Sequence, residues 1–372
     1  MKVCIIGDGQ ALLGKHPGGA ELQTFLFAKA FSAAGFETTF IAYNLNGELP
    51  MNSYEFKIKF VPNWYKGLRG FRFILYRLPN FIKTVWGTDA DYYFGRSLSY
   101  WHGLTLIIAK LKRKKYIFSV AHDTDIMPFF KRWQIIYKQK LNIWQLISAI
   151  WLNELFSPVL KYMSNIFFVQ NDFQLELLKK KKSFLVHNIL PEEKTNTISI
   201  ASIENKEFDI IYIGSLNTRK GSKYLLETIL KLETKKFIII GSALVKEGEE
   251  FLKIINGKAN VNYVGQKDNT EVLALIRKSK LLINTSPYEG FPNVFLEAWL
   301  SGVPVCSLFV DPSNYIEDYK LGKCFKGDLV RMINWLKEDN NTELFDPQIL
   351  ITFAVEKFSL SNAIQKIKSI LN

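Results

Sequence analysis

The apolar positions of this chain fall into short unbroken runs, and stretches of helical spacing fill the gaps between them. Met1 to Gly7, Thr38 to Tyr43, Tyr92 to Phe94, Tyr116 to Val120 and Asn165 to Gln170 read as buried strands in the first half. Asp209 to Ile213, Phe237 to Ile240, Val261 to Gln266 and Leu281 to Asn284 do so in the second. Helices are expected up to about Ala34, after Arg96 to Lys110, around Glu249 to Ile255, from Glu271, over Asn293 to Leu300 and over Ser361 to Leu371. Trp133, Tyr137, Leu141, Trp144, Ile147, Trp151 and Leu155 recur at three and four residues, one helical stripe. Strands alternating with helices in both halves give an α/β class.

The most informative stretch runs from Pro287 to Val305. A buried strand ends at Asn284, a tight loop follows, a helix starts near Asn293, and Gly302 stops it before another apolar run. Such a loop lies where the carboxyl end of a parallel strand meets a helix N-terminus. Open α/β sheets bind ligands there, and backbone N–H groups attract anions. Glu289 stands in the loop and Glu297 on the helix. A phosphate on the helix amides leaves Glu297 to face neutral hydroxyls, and Glu289 to meet what extends beyond the phosphate. A carboxylate grips vicinal hydroxyls because each oxygen accepts a hydrogen bond. Phosphate on amides with ribose on a carboxylate describes a nucleotide-sugar site. Two glutamates alone are more simply a helix cap and a solvated charge. The full string, Glu289-Gly290-Phe291-Pro292-Asn293 through Glu297-Ala298 to Ser301-Gly302-Val303-Pro304-Val305, is far more specific. It resembles the donor-site signature of the family 4 glycosyltransferases, retaining enzymes of the GT-B fold.

That resemblance implies two Rossmann-like domains facing each other across a cleft, with the acceptor on the first and the nucleotide sugar on the second. It implies a donor diphosphate near the Gly18-Gly19-Ala20-Glu21 loop, whose glycines permit close backbone approach. It places His122, at the carboxyl end of a strand, beside the transferred sugar and acceptor, and Gln266 near the base. The family pattern of Gly-Arg, a short loop and Lys-Gly is matched by Lys220 and Gly221. Ser215 stands where the arginine is usual, and Arg219 is a candidate to supply that charge. Lys220 is expected to neutralise the leaving diphosphate. Retention of configuration comes from the resemblance alone. The match is densest over residues 261–305 and thins towards residues 1–190. Gly7, Gly9 and Gly14 do not form the dinucleotide fingerprint, so no nicotinamide site is expected.

Length allows two domains: 1–190, a linker 191–206, 207–350, and a terminal segment 351–372 that crosses back to the first domain, as in many GT-B proteins. Charge separates the halves. The chain carries 48 Lys and Arg against 35 Asp and Glu. Residues 1–206 hold 27 and 15 of these, and residues 207–372 hold 21 and 20. The basic excess belongs to the first half and points to a polyanionic partner there. From Trp64 to Arg77 bases alternate with aromatics, which suits either an interfacial segment on anionic lipid or a helix with its apolar side in the core. No nucleic-acid motif accompanies the charge. No run of about 18 uncharged apolar residues is present. The first run is short for a signal peptide. Cys4, Cys306 and Cys324 lack metal-ligand spacing, so buried thiols in a reducing compartment are expected.

The sequence therefore reads as a metal-independent, retaining glycosyltransferase of the hexosyl type. It would use a UDP or GDP sugar as substrate and no cofactor. A lipid-linked glycan is the expected acceptor, in bacterial envelope polysaccharide synthesis at the inner face of the cytoplasmic membrane. Two rivals stand beside it. Asp123-Thr124-Asp125 and Asp89-Ala90-Asp91 have the spacing of a metal–diphosphate clamp of the GT-A type. A non-catalytic GT-B-like binder of nucleotide or polyanion is the other, supported by Ser215.

Overall fold

The computed structural model describes residues 1–13, 18–45, 54–68, 71–136, 154–191 and 206–372. Two compact units are present: Met1–Ile189 with Leu360–Asn372, and Leu190–Ser359. The expected linker lies almost wholly outside the described residues, as do Tyr137 to Trp151 of the helical stripe.

The first unit is built on a seven-stranded parallel sheet. Its strands are β1 (Lys2–Asp8), β2 (Glu37–Tyr43), β3 (Lys57–Phe60), β4 (Tyr92–Arg96), β5 (Lys115–Ser119), β6 (Ile166–Val169) and β7 (Ser183–Leu185), in the order β3-β2-β1-β4-β5-β6-β7. The unbroken apolar runs are explained by two packed faces. Val3 and Ile5 of β1 join one core with Phe27, Phe31 and Phe94. Cys4 and Ile6, pointing the other way, join a second with Phe81, Tyr93 and Phe118. A strand with helices on both sides has no face to leave polar. β3 was not anticipated. It is a four-residue edge strand with lysines at two positions, a composition that marks sheet edges rather than cores.

The second unit carries six parallel strands: β8 (Phe208–Ile213), β9 (Phe237–Ile240), β10 (Val261–Tyr263), β11 (Ser279–Asn284), β12 (Val305–Ser307) and β13 (Gly322–Cys324). Their order is β10-β9-β8-β11-β12-β13. Again neighbours on one strand serve opposite cores: Ile211, Ile238 and Leu282 on one face, Ile210, Tyr212 and Ile283 on the other. β10 is shorter than the expected Val261–Gln266, because Gly265 turns the chain with a φ of +70°.

The crossing segment begins later than residue 351. Pro347–Phe358 completes a helix of the second unit, with Phe353 and Phe358 in its core. The return to the first unit starts at Leu360, where Leu360, Ala363, Ile367 and Leu371 recur every three or four residues and fill the core of that unit. Lys366 fastens this helix by donating to the Leu185 carbonyl at 2.9 Å. All three cysteines are free and buried. Burial pushes the Cys4 thiol up to about 12, which keeps it protonated and unreactive.

Candidate functional site

In the second sheet the chain leaves β8 in one direction and β11 in the other, so the strand order reverses between them. A crevice opens at the carboxyl ends of such a pair, and ligands of doubly wound sheets bind there. Both informative stretches of the sequence start from these two strands. Gly214 to Gly221 follows β8, and Thr285 to Pro292 follows β11.

Several short-range devices shape the first loop. The Asn217 side chain accepts from the Lys220 N–H at 3.1 Å and caps a single turn, Thr218–Lys220. Gly221 then adopts a φ of +69°. A Cβ at Gly221 would stand 1.9 Å from the Thr285 carbonyl oxygen, so only glycine lets the two loops touch. The Thr285 hydroxyl donates to the Lys220 carbonyl at 3.0 Å. Lys220 Nζ and Glu289 Oε1 meet at 2.5 Å. Glu289 is buried while the Lys220 side chain is about one-third exposed, so the cation sits at the rim and the carboxylate beneath it. The Tyr212 phenol is pushed up by burial and by the Glu289 charge, which keeps it a neutral donor.

After β11 the second loop buries Glu289, Gly290, Phe291 and Pro292. The Phe291 ring lies in the core, 5.0 Å from Phe358 and 6.2 Å from Trp299. Only its backbone can address a ligand. Pro292 precedes the helix Asn293–Leu300. Proline carries no side-chain acceptor, so the cap position leaves the first turn to other partners. Glu297 is buried on this helix. Gly302, with a φ of +66°, ends it as expected. Lys220, Glu289, Gly290, Asn293 and Glu297 thus belong to one sheet edge. Arg219 is exposed in the turn beside Lys220. Ser215 is tied to the loop after β9 by the Ser242 hydroxyl at 3.1 Å. Gln266 is exposed beyond β10, two strands away from β8.

Gly18, Gly19 and His122 belong to the first unit. Gly18 caps the helix α1 (Gly19–Ala33) with φ −61° and ψ 162°, a conformation open to any residue, so flexibility is not what glycine supplies here. A Cβ would instead meet the Glu21 carboxylate at 2.4 Å. His122 follows β5 at the carboxyl edge, half-buried. Its N–H and that of Ala121 both donate to Asp125 Oδ2 at 3.0 Å. Asp123 Oδ1 accepts from Gln174 at 2.9 Å and Asn171 at 3.1 Å. Asp125 thus holds its own loop, and Asp123 ties that loop to the segment that follows β6. Asp89 and Asp91 pair with Lys2 and Lys114 at the opposite, amino edge of the sheet. Neither pair is arranged as a metal clamp. Among the described residues, no group of three or more His, Cys, Asp or Glu could hold a metal ion.

Two residues were not legible as site candidates. Arg96 ends β4 and is 3% exposed. Its guanidinium donates to Ser119 at 2.8 Å and Asn188 at 2.6 Å, and burial lowers its pKa to about 10. The only signal was a charge closing an apolar strand. Asp311 follows β12, and its carboxylate accepts from the Ile316 N–H at 2.8 Å. Burial raises it to about 6. Ser313 and Asn314 beside it both have a left-handed φ, near +57°, a strained turn at the ligand-binding edge. The sign of the pH effect follows. With a folded value above the unfolded one, stability from protonated Asp311 is full below about pH 4 and is lost as pH rises through about 6. Asp311→Asn is therefore expected to raise the melting temperature at pH 8 and to leave it unchanged near pH 4. The gain is about 1–2 kcal/mol after discounting for partial exposure, or a few degrees. Calorimetry at the two pH values reads it.

Residues 193–344 match the family model described as glycosyl transferases, group 1. Over 136 residues the chain is 32% identical to an uncharacterized 41.2 kDa protein in the cps region of Klebsiella pneumoniae, covering 34% of this chain and 37% of that protein. The alignment thus spans little more than a third of that relative's length. Among solved structures, sucrose-phosphate synthase from Thermosynechococcus elongatus superposes with a TM-score of 0.74 at 13% identity, over 100% of this chain and 98% of that one. WaaG, a glycosyltransferase involved in lipopolysaccharide biosynthesis, gives 0.65 at 16% identity over 100% and 99%. At such identities the likeness shows the fold, two Rossmann-like domains of the GT-B type.

Proposed function

We propose that the protein transfers a sugar from a nucleoside-diphosphate sugar to a glycan, a reading supported by the match of residues 193–344 to the family model described as glycosyl transferases, group 1. The reading includes membership of family 4, retention of anomeric configuration, a UDP or GDP donor and no metal ion. A lipid-linked acceptor would place the enzyme on the cytoplasmic face of the membrane. Envelope polysaccharide synthesis is favoured by the context of two similar proteins, one in a cps region and one involved in lipopolysaccharide biosynthesis.

One observation carries the reading: Lys220 and Glu289 meet at 2.5 Å where the second sheet reverses its strand order. A diphosphate on the amides of Gly290, Phe291 and Asn293 would draw Lys220 Nζ, already held at the rim. Lys220 would then stabilise the charge that builds on the β-phosphate as the glycosidic bond breaks. Arg219, exposed in the same turn, could reach the anion in place of the arginine that Ser215 does not supply. Glu297 accepts from the ribose hydroxyls. Glu289, released from Lys220, accepts from the hydroxyls of the transferred sugar. The first unit takes the acceptor, with His122 and the Gly18-Gly19 turn on its carboxyl edge. Lysine and helix amides together can replace the divalent cation that other transferases need.

Binding and slow hydrolysis of UDP-, GDP-, ADP- and CMP-sugars test this directly. One nucleotide class is expected to bind, with the same affinity in chelator. Glu297→Ala should weaken binding about tenfold to a hundredfold, the loss of hydrogen bonds to a charged acceptor. Loss of binding in chelator would overturn metal independence. Binding with no turnover in the presence of any glycan acceptor would favour a non-catalytic nucleotide binder, and binding of none would overturn the donor site.

A further inference from the structure

Between Trp64 and Thr88 the chain has five Lys or Arg residues and no Asp or Glu. The helix α2 (Leu78–Trp86) in this stretch is apolar on two sides. Phe81 and Val85 are fully buried in the core of the first unit, and Phe73 and Leu78 pack against it. The outward side carries Phe71, Ile74, Leu75, Ile82 and Trp86, all exposed, with Phe71 and Ile74 each more than 60% exposed. A wider turn of π-helix, Phe73–Arg77, precedes α2, with the Leu78 N–H reaching back to Phe73. Phe81 and Val85 point inward while Ile74, Leu75, Ile82 and Trp86 point outward, so one stretch presents apolar side chains to both sides.

The ridge continues onto a neighbouring helix, α3 (Tyr100–Leu111). Lys112 Nζ donates to the Trp86 carbonyl at 2.8 Å, which sets exposed Leu111 and the run Lys112 to Lys115 beside the end of α2. Exposed Lys66 and Lys83 flank the ridge from the other side. With its inner side already in the core, the exposed apolar ridge on the outer side is left for a partner. Lys66 and Lys83, with no acid between Trp64 and Thr88, beside an apolar ridge fit a bilayer with anionic headgroups, where acyl chains take the apolar side chains and phosphates take the bases. A protein partner would have to present a matching ring of acids. Among the described residues no helix is long and apolar enough to cross a membrane, so this segment would lie on one.

We propose that Phe71, Ile74, Leu75, Ile82 and Trp86 insert into the headgroup region of an anionic lipid bilayer, with Lys66 and Lys83 on its phosphates. The surface names the partner behind a lipid-linked acceptor, but its evidence is independent of the donor site, and its test uses no donor. Sedimentation with phosphatidylglycerol-containing vesicles is compared with neutral phosphatidylcholine vesicles at low salt. Binding to the anionic vesicles alone is expected, weakening as salt rises. Phe71→Ser with Leu75→Ser should lower the partition about tenfold or more, and Lys66→Glu with Lys83→Glu similarly. All four side chains are outside the core, so the melting temperature serves as a folding control. In brominated anionic lipid, fluorescence quenching should fall in Trp86→Phe while partition holds. The proposal is overturned if the protein ignores anionic vesicles, binds neutral ones equally, or retains binding in both double variants. It is equally overturned if the apolar double variant only converts a dimer to a monomer in sedimentation velocity without changing vesicle partition.

Discussion

Lys220→Ala is expected to lower kcat for sugar transfer by about 100- to 1,000-fold, the loss seen when one donor to a developing anion is removed. Stability will fall too, because Glu289 is 6% exposed and would be left a buried charge without its ammonium partner. That cost is about 1–3 kcal/mol. The two effects can be separated. Adding Glu289→Gln neutralises the stranded carboxylate, so the double variant Lys220→Met with Glu289→Gln should regain most of the melting temperature. Activity should not return with it. Steady-state kinetics beside calorimetry on the single and double variants decide the matter. Recovery of both together would mean that the pair only braces two loops, and the assignment of Lys220 to the leaving diphosphate would be lost.

Gly221→Ala should be strongly disruptive to the second unit. Its Cβ would lie 1.9 Å from the Thr285 carbonyl oxygen and 2.7 Å from the carbonyl carbon, both backbone atoms that cannot swing aside. The φ of +69° adds a left-handed penalty of about 1 kcal/mol for any side chain. Together these are expected to cost about 3–5 kcal/mol and roughly 10 °C in the melting temperature of the unit. Gly257→Ala is the matched control. Its φ is +78°, but nothing lies within 4 Å of the added carbon. It should show the conformational penalty without the clash. Equal losses at both positions would mean that the contact between the two loops contributes nothing.

The motif string around Glu289 was readable because it is local. Strand, loop, helix and stop follow one another within about twenty residues, and each is set by its own composition. The helix Asn293–Leu300 and the stop at Gly302 stand where the pattern put them. Asp311 was invisible because nothing in its neighbourhood distinguishes a buried carboxyl from a solvated one. Its value near 6 arises from the packing of the loop after β12. The basic, aromatic segment fell between two readings for a similar reason. Its composition suits both core and interface, and the structure uses it for both: Trp64, Phe73 and Phe81 go inward, Phe71, Ile74 and Leu75 outward. The division between the two is set by packing, which no periodicity announces.

By itself, then, the sequence determined the α/β class, the central strands of both sheets, the helix that carries Glu297 and the residue types available for nucleotide-sugar chemistry. Those features depend on repeats of two to four residues and on turn chemistry, both written into neighbouring positions. Only the tertiary structure decided that Lys220 and Glu289, 69 residues apart, face each other. It alone showed that Gly221 has to be glycine because of Thr285, and that residues 351–359 belong to the second unit. In a parallel sheet each strand meets its partner through a crossover of a dozen or more residues. Contacts between the loops at its edge are therefore set by strand order, which local pattern does not encode.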